Sequence, residues 1–435
     1  MQEPERRVLT IYPICYIIIS LYNCKIMTEV RAVQNPGFVI GNIAKGDDMW
    51  DRKAEIDHIW KSLEKTSVFL KAPRRFGKTS IMFNLFENPR LGYETVFFDA
   101  EGRNDPEDFV VALAVDLISN SKFKKAVIST KKWFKEAFQR IEEIGLATAR
   151  LKLKDHVRQG WQDKGFEILS CVAESHKKIL FIIDELPTLI QNIATKHENH
   201  AACEFLNWFR QIRQHPKLPE FRWLVGGSIG IEYILEKVGT GPRTINDFEI
   251  INIGAFSGEE GRGYVKALLV GDGGIKRVSN VAIEKIMELV GPPVPYFIQI
   301  LASESLKAME RLRRTTLTPE AIEEVFHGQV LGPASKTYFM HYYQRLKEYY
   351  TPGLARIAHR LVLEVARCKR KGKQDLWRLF KAHSTEKPDE SAFNSLMTDL
   401  ENDFYIIYNY ADKTYGFSTN ILRAWWLRYH DVEVV

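Results

Sequence analysis

The feature that most constrains the fold of this chain is a short strand followed by a tight basic loop and the start of a helix. Apolar residues run consecutively over Val68–Leu70, which is typical of a strand buried on both faces of a sheet. The loop that follows has the form of a Walker A loop, in which backbone N–H groups and the positive end of a helix surround phosphate oxygens. Its residues are Ala72, Pro73, Arg74, Arg75, Phe76, Gly77, Lys78, Thr79 and Ser80.

Each position of this loop predicts a role in binding a nucleotide. Lys78 supplies a positive charge for the β- and γ-phosphates, the Thr79 hydroxyl is a ligand for Mg²⁺, and Gly77 lets a phosphate approach the backbone. Ala72 stands where the consensus has glycine, and a left-handed conformation there would cost ~1–2 kcal/mol. We expect Ala72 to close the strand instead, where alanine fits without strain. Taken alone, the loop could also be an ordinary helix start in solvent.

A second motif supports the first. The apolar run Ile179–Ile183 ends in Asp184 and Glu185, which is the Walker B form. In isolation it would be a buried strand followed by solvated acids. Beside the loop, Asp184 is predicted to hold magnesium and Glu185 to activate water as the general base. The two motifs together predict ATP and Mg²⁺ as the bound cofactors and ATP hydrolysis as the activity.

The order of elements predicts an α/β fold, a P-loop NTPase of the ASCE type with a parallel sheet flanked by helices. Only one strand candidate lies between the two motifs, as expected when an additional strand separates them in the sheet. The charged stretch from 105 to 178 is predicted to be mostly helical, with an extra strand at 149–154 and Trp133, Phe134, Phe138 and Ile141 in core packing. The candidate strands are 67–70, 95–99, 179–184, 222–226 and 248–253.

The second half of the chain changes pattern twice. After Ile253, helical segments at 258–269, 281–289, 295–312 and 318–326 predict a helical lid. From Lys336 the pattern is that of a winged-helix domain: helices at 358–370, 373–382 and 390–402, a hairpin of 404–410 with 415–418, and a helix at 420–430 carrying Trp425 and Trp426 as anchors. The predicted domains are an N-terminal extension (1–35), a P-loop core (36–255), a lid (256–330) and a winged-helix domain (331–435).

The composition bears on the location of the protein and on its binding partners. A net charge of +6 over 435 residues is compatible with nucleic acid but does not imply it. The five cysteines are scattered without a metal-binding spacing, which favours a reduced, cytoplasmic location. The apolar stretch 8–21 contains Pro13 and is shorter than the roughly 18–20 residues of a membrane span, so no membrane association is expected. The residues before Met27 are expected to be loosely attached, as a wrongly assigned start would be.

The loop Pro73–Ser80 resembles the double-arginine P-loop of the archaeal-type ATPases of the STAND branch, relatives of the AAA+ proteins. Upstream, Asp51–Ile56 is similar to their Gly-Arg-x-x-Glu box, with Asp51 in the place of the glycine. The resemblance covers roughly residues 36 to 310. It implies that Arg52 lies beside the adenine; the alternative is a surface arginine.

Further site residues follow from the resemblance. Ser228, after Gly226 and Gly227, is similar to the family's sensor position near the γ-phosphate, and the alternative is a simple turn. Arg243 occurs where relatives carry an arginine that stabilises transition-state charge, in the same chain or in a neighbouring subunit. Pro295 resembles the lid proline that packs on the nucleotide base.

Three functions compete at this stage. The first is an ATPase switch, slow without a partner, that couples its nucleotide state to the winged helix. The second is a DNA-binding regulator or initiator licensed by ATP, and the third is a low-turnover scaffold that acts through a protein partner or self-association. The basic run at 369–373 suits phosphate contacts with DNA. The helix predicted at 390–402 is expected to be the recognition helix, and it and its flanks carry acids that would repel DNA: Asp389, Glu390, Asp399, Glu401 and Asp403.

Overall fold

The computed structural model describes residues 36–119, 123, 153–227, 231–271, 278–384 and 387–431. The predicted N-terminal extension, Ser228 and the aromatic residues between Trp133 and Ile141 lie outside these residues. So does most of the predicted strand at 149–154, whose last two residues, Leu153 and Lys154, are helical.

The first half of the chain forms a parallel sheet with the strand order β2-β3-β4-β1-β5. Every pair of neighbouring strands is parallel. The strands predicted at 67–70, 95–99, 179–184, 222–226 and 248–253 are confirmed. β4 lies between β1 and β3, so an additional strand does separate the two motifs. The strands are β1 (Ser67–Lys71), β2 (Tyr93–Asp99), β3 (Lys178–Asp184), β4 (Phe221–Gly227) and β5 (Phe248–Asn252).

Helices cover both faces of this sheet. Alternate residues of one strand enter two different cores: Leu180 and Ile182 pack into one, and Phe181 and Ile183 into the other. Burial on both faces explains why the strands appear in the sequence as continuous apolar runs. The helices of this half are α1 (Lys53–Leu63), α2 (Lys78–Glu87), α3 (Pro106–Ser119), α4 (Trp161–Ala173), α5 (Leu186–Arg213) and α6 (Ile231–Val238).

The predicted lid is a group of helices beginning after β5. Its first helix starts at a capping box, in which the Ser257 hydroxyl accepts from the Glu260 N–H and the Glu260 carboxylate accepts from the Ser257 N–H. The lid helices agree with the predicted segments: α7 (Gly258–Val270), α8 (Asn280–Val290), α9 (Pro295–Arg311) and α10 (Pro319–Val325).

We call residues 331–431 the C-terminal module. Its helices and hairpin follow the predicted order, and a short strand, β6, joins the hairpin in an antiparallel sheet of order β6-β8-β7. Trp425 and Trp426 are fully buried, as expected of anchors. The elements are α11 (Thr337–Tyr349), α12 (Pro352–Cys368), β6 (Arg370–Gly372), α13 (Lys373–His383), α14 (Glu390–Asn402), β7 (Ile406–Asn409), β8 (Thr414–Phe417) and α15 (Asn420–His430).

The module differs from the prediction at three places. Helix α11 was not predicted. Helix α12 begins at Pro352 rather than Ala358 and ends at Cys368, because Lys369 has a φ of +61° and turns the chain into β6. Part of the predicted basic run therefore belongs to a strand.

One apolar core extends from one face of the parallel sheet through the lid into the C-terminal module. Phe297 of α9 stacks on Phe339 of α11 with ring centroids 5.9 Å apart, and the Tyr296 hydroxyl donates to the Tyr338 carbonyl at 3.1 Å. Among the described helices, none combines the length and the apolar character that crossing a membrane requires.

Candidate functional site

A cavity of about 450 Å³ opens at the carboxyl edge of the parallel sheet. The Walker A loop forms its floor, residues 39–50 form one wall, and the lid helices α7 and α9 form another. Its volume lies within the range of small-molecule sites. The cavity therefore lies where the two sequence motifs meet.

The Walker A loop turns through two residues with left-handed backbone. Arg75 has a φ of +74°, and Gly77, at the N-cap of α2, has a φ of +87° with open space where a Cβ would stand. Ala72 is buried and does not have a positive φ, so its methyl group causes no strain. The Ser80 hydroxyl accepts from the Ala44 N–H at 3.0 Å and joins the loop to the cavity wall.

Four polar side chains converge at the mouth of the cavity. The Lys78 ammonium contacts the Asp184 carboxylate and lies 2.9 Å from Glu185 Oε1. The Thr79 hydroxyl donates to Asp184 Oδ2 at 2.7 Å. Burial alone would lower the pKa of Lys78, but the carboxylates of Glu185 and Asp184 outweigh it and raise that pKa. Lys78 is therefore protonated at neutral pH and can bind an anion.

The backbone conformation of Glu185 sets the direction of its side chain. It has a φ of +57° and a ψ of +37° directly after β3, at the N-cap of α5. Its second carboxylate oxygen accepts from the Thr188 hydroxyl at 3.3 Å. Neighbouring Asp184 and Glu185 thus both reach Lys78, although successive residues of a strand point to opposite faces.

The glycines at the end of β4 are required by close packing. A Cβ on Gly226 would lie 2.7 Å from Met82 Sδ and 3.0 Å from Asp184 Oδ1, and a Cβ on Gly227 would lie 2.4 Å from Pro187 Cγ. Both glycines belong to β4. Ser228 lies outside the described residues, so its assignment as a sensor stays a prediction.

Arg52 is buried, and the alternative that it is a surface residue was wrong. Its guanidinium donates to the carbonyls of Phe76 at 3.1 Å and Gly254 at 3.0 Å, and it stands 4.4 Å from the ring centre of Phe256. Asp51 has a φ of +33°, a conformation that suits the glycine of the resembling box. Arg52 thus holds the Walker A loop through the Phe76 carbonyl.

The other end of the cavity is aromatic. Trp50 and Phe256 each pack on Tyr264, at 5.7 and 5.5 Å between ring centroids. The Gln299 side chain donates to the Tyr264 hydroxyl at 2.7 Å and accepts from the Val39 N–H at 2.8 Å. Sequence reasoning missed these residues, because they come from distant segments that share no local pattern. Pro295 and Tyr296, at the start of α9, line the same cavity.

Glu101 also lines the cavity and was missed. It follows β2, whose last residue, Asp99, pairs in register with Asp184. Burial, reinforced by the charges of Asp184 and Glu185, raises the pKa of Asp99. The carboxyl ends of β2 and β3 therefore form one acidic edge.

Arg243 does not join the cavity. It is exposed in the short turn Pro242–Thr244 before β5. Because β5 runs parallel to β1, this turn lies at the amino edge of the sheet, opposite the Walker A loop. Its side chain is accordingly not part of the site of its own chain in this arrangement.

No protein-family model matches this sequence, and no curated protein matches it. Solved structures do. The Walker-type ATPase paby2304 of Pyrococcus abyssi is similar over 88% of this chain and 97% of that chain, with a TM-score of 0.59 and 18% identity. The Aeropyrum pernix ORC2 protein, in ADPNP–ADP complexes, is similar over 85% of this chain and 90% of that chain, with a TM-score of 0.51 and 10% identity. The chain has the fold of the P-loop ATPases.

Proposed function

We propose that this chain binds ATP with Mg²⁺ and hydrolyses it slowly, as a cytoplasmic switch of the STAND type that couples its nucleotide state to a C-terminal winged helix. The observation that carries the proposal is the convergence of Lys78, Thr79, Asp184 and Glu185 at one cavity mouth. A protein partner or self-association would accelerate the cycle.

The lining of the cavity fits the two ends of ATP. The flat rings of Trp50, Tyr264 and Tyr296 suit a purine base, and the loop amides with Lys78 suit the phosphates. Thr79 and Asp184 offer the hydroxyl and carboxylate oxygens that Mg²⁺ prefers. When bound, the ion supplies positive charge against the phosphate oxygens.

In the hydrolytic step, Lys78 and Glu185 have different roles. Lys78 exchanges its contact with Glu185 for a phosphate oxygen, which frees the carboxylate to accept a proton from the attacking water. Ser228 is proposed as the γ-phosphate sensor. Arg243, exposed at the opposite edge of the sheet, fits a contact with the nucleotide of a neighbouring subunit better than one with its own.

The first test is the binding of ATP to the full chain. ATP with Mg²⁺ at about a hundred times its Kd should stabilise the folded protein by about 2.7 kcal/mol and raise its Tm. Lys78→Ala should abolish this rise. Lys71→Ala is the matched control, because Lys71 pairs with Glu232 outside the cavity, and it should retain the rise.

Calorimetry separates the remaining outcomes. If the folded protein shows no heat of binding with ATP and Mg²⁺, the proposal is wrong. If it binds ATP but releases no phosphate, alone or with any partner, the scaffold alternative replaces the ATPase.

DNA binding by the C-terminal module is the second candidate. Tyr410, in the turn between β7 and β8, is 86% exposed, and Lys413 beside it is also exposed. Of the acids that would repel DNA, Asp403 is buried and Asp399 is half-buried, so neither presents its full charge to a partner. Two cations of the basic run are nevertheless already paired, Arg370 with Asp412 and Lys371 with Glu364.

Salt dependence tests this candidate. If the module binds DNA, affinity should fall steeply as salt rises, and neutralising Lys369, Arg370, Lys371 and Lys373 should reduce that slope. An affinity for duplex DNA that is unchanged in the neutralised variant would exclude this surface.

A further inference from the structure

The C-terminal module contacts the Walker A loop through an aromatic pair. Phe404, two residues after the end of α14, has a φ of +62°, and its ring meets Phe76 edge to face with centroids 4.7 Å apart. Phe76 is only 1% exposed, and its carbonyl is held by Arg52. A movement of Phe76 would therefore change its packing against Phe404 of the module.

A buried ion pair stands beside this ring. Arg345 of α11 lies 3.0 Å from Asp403, and both side chains are buried. Burial raises the pKa of Asp403, and the positive charges of Arg345, Arg74 and Lys71 oppose that rise. Glu185 adds its negative charge to the same surroundings. The module thus presents a buried carboxyl to the charged edge of the ATP site.

The two arginines of the Walker A loop, Arg74 and Arg75, differ in their neighbours. The Arg75 guanidinium donates to the Gly41 carbonyl at 3.2 Å and covers the Tyr296 ring at 4.7 Å, so it faces the cavity wall and the lid. Arg74 lines the cavity, and it forms no salt bridge with a carboxylate in the part of the chain that the structure describes. The positive charge of Arg74 opposes the rise in the pKa of Tyr349 and of Asp403 in the module, whereas both arginines act on His341 and Tyr342.

We propose that Arg74 reports the γ-phosphate to the C-terminal module, by exchanging its attraction to Asp403 for attraction to the bound triphosphate. This inference rests on the proposed ATP binding. With ADP, Arg74 continues to favour the ionised Asp403 and the Phe76–Phe404 contact holds. With ATP, the added phosphate draws Arg74 away and brings negative charge towards Asp403, so the module loosens from the loop.

Hydrogen exchange of the full chain tests this exchange of partners. Backbone exchange over residues 390–409 is compared at saturating ADP and at saturating β,γ-imido-ATP, each with Mg²⁺. In the wild type, exchange should be ~5-fold or more faster with the triphosphate analogue, the lower end of ordinary coupling between sites. Arg74→Gln should remove this difference. Arg75→Gln, which loses the same charge from the same loop, should retain it.

Binding is measured by calorimetry for every variant, so that two failures are distinguished. If both nucleotides bind the wild type and exchange over 390–409 is equal in the two states, the role of Arg74 is wrong while ATP binding stands. Equal loss of the difference in Arg74→Gln and Arg75→Gln also overturns it. If neither nucleotide binds, the proposed function and this inference are overturned together.

A second variant avoids disturbing the phosphate end of the site. Asp403→Asn would leave Arg345 buried beside a neutral amide and endanger the fold, so Phe404→Leu is used instead. It weakens the ring contact and should reduce the nucleotide-dependent difference in exchange. A full difference in Phe404→Leu contradicts a route through this contact.

Discussion

Three residues at the Walker A end of the cavity have left-handed backbone: Arg75, Gly77 and Glu185. Such a conformation costs a residue with a side chain roughly 1–2 kcal/mol, and only glycine adopts it freely. The surrounding strands and helices therefore hold Arg75 and Glu185 against a local preference. Strain of this kind collects at sites where side-chain direction matters.

Glu185 is the residue on which the proposed chemistry depends. Glu185→Gln keeps a side chain of the same size but cannot accept a proton, so ATP should still bind while hydrolysis slows by roughly a hundred-fold or more. Steady-state phosphate release measures the rate. Glu101→Gln is the control, since Glu101 lines the same cavity. Loss of turnover in the control, with normal turnover in Glu185→Gln, would assign the base to Glu101.

Gly226 tests how tightly the acidic strand end is packed. Gly226→Ala would push against Met82 and the Asp184 carboxylate, so we expect a loss of about 1–3 kcal/mol in unfolding free energy and weaker Mg²⁺-dependent ATP binding. Gly254→Ala is the control, because a Cβ there meets nothing within 4 Å. Denaturant unfolding and calorimetry measure the two effects; equal behaviour of both variants contradicts the packing argument.

At the scale of elements, burial decides what the sequence could predict. The parallel strands were found because both faces are buried, which leaves an unbroken apolar run. Helix α11 was missed, because its tyrosines and phenylalanine are weak helix formers and its apolar side is defined by contacts with α9 and α15. Strand β6 has only three residues, two of them basic, and pairs with β8 more than forty positions away.

The candidate site divides in the same way. The residues of the two Walker motifs lie within two short segments, 72–80 and 184–185, so a local pattern can indicate them. The aromatic end combines Trp50, Tyr264 and Gln299, which are far apart in the sequence and are brought together by the fold. No pattern within one segment carries that information.

Helix α14 should make stability depend on pH. Burial, with the charges of Asp403, Glu232 and Glu236, raises the pKa of Asp399 to about 8, while an unfolded chain has the ordinary value of about 3.9. Between these values the folded state binds the extra proton, so stability falls as pH rises through this window. Asp399→Asn should flatten the decline of Tm between about pH 5 and about pH 8.

Glu390→Gln removes an acid from the exposed first turn of the same helix and serves as the control. Its Tm should fall with pH as steeply as that of the wild type. Thermal unfolding across the pH range measures both variants. Parallel curves for Asp399→Asn and the wild type would mean that Asp399 titrates normally.

At the scale of the whole molecule, the pair of Arg345 and Asp403 ties α11 to the end of α14. Arg345→Met leaves a buried carboxyl without its cation and should cost roughly 3–5 kcal/mol of unfolding free energy. The double variant Arg345→Met with Asp403→Leu should recover most of that loss, because two apolar side chains can pack together. Chemical denaturation of both variants checks the difference; no recovery in the double variant would show that the pair contributes more than matched charges.

The core that runs unbroken from the parallel sheet into the C-terminal module limits how the protein can be divided. If the chain were cut near residue 330, Phe297 would lose its contact with Phe339. An apolar surface of the lid would then be exposed to water. A fragment that ends there is therefore expected to be less stable than the full chain. A relative with a shorter or different C-terminal segment would need another apolar surface to cover the lid helices.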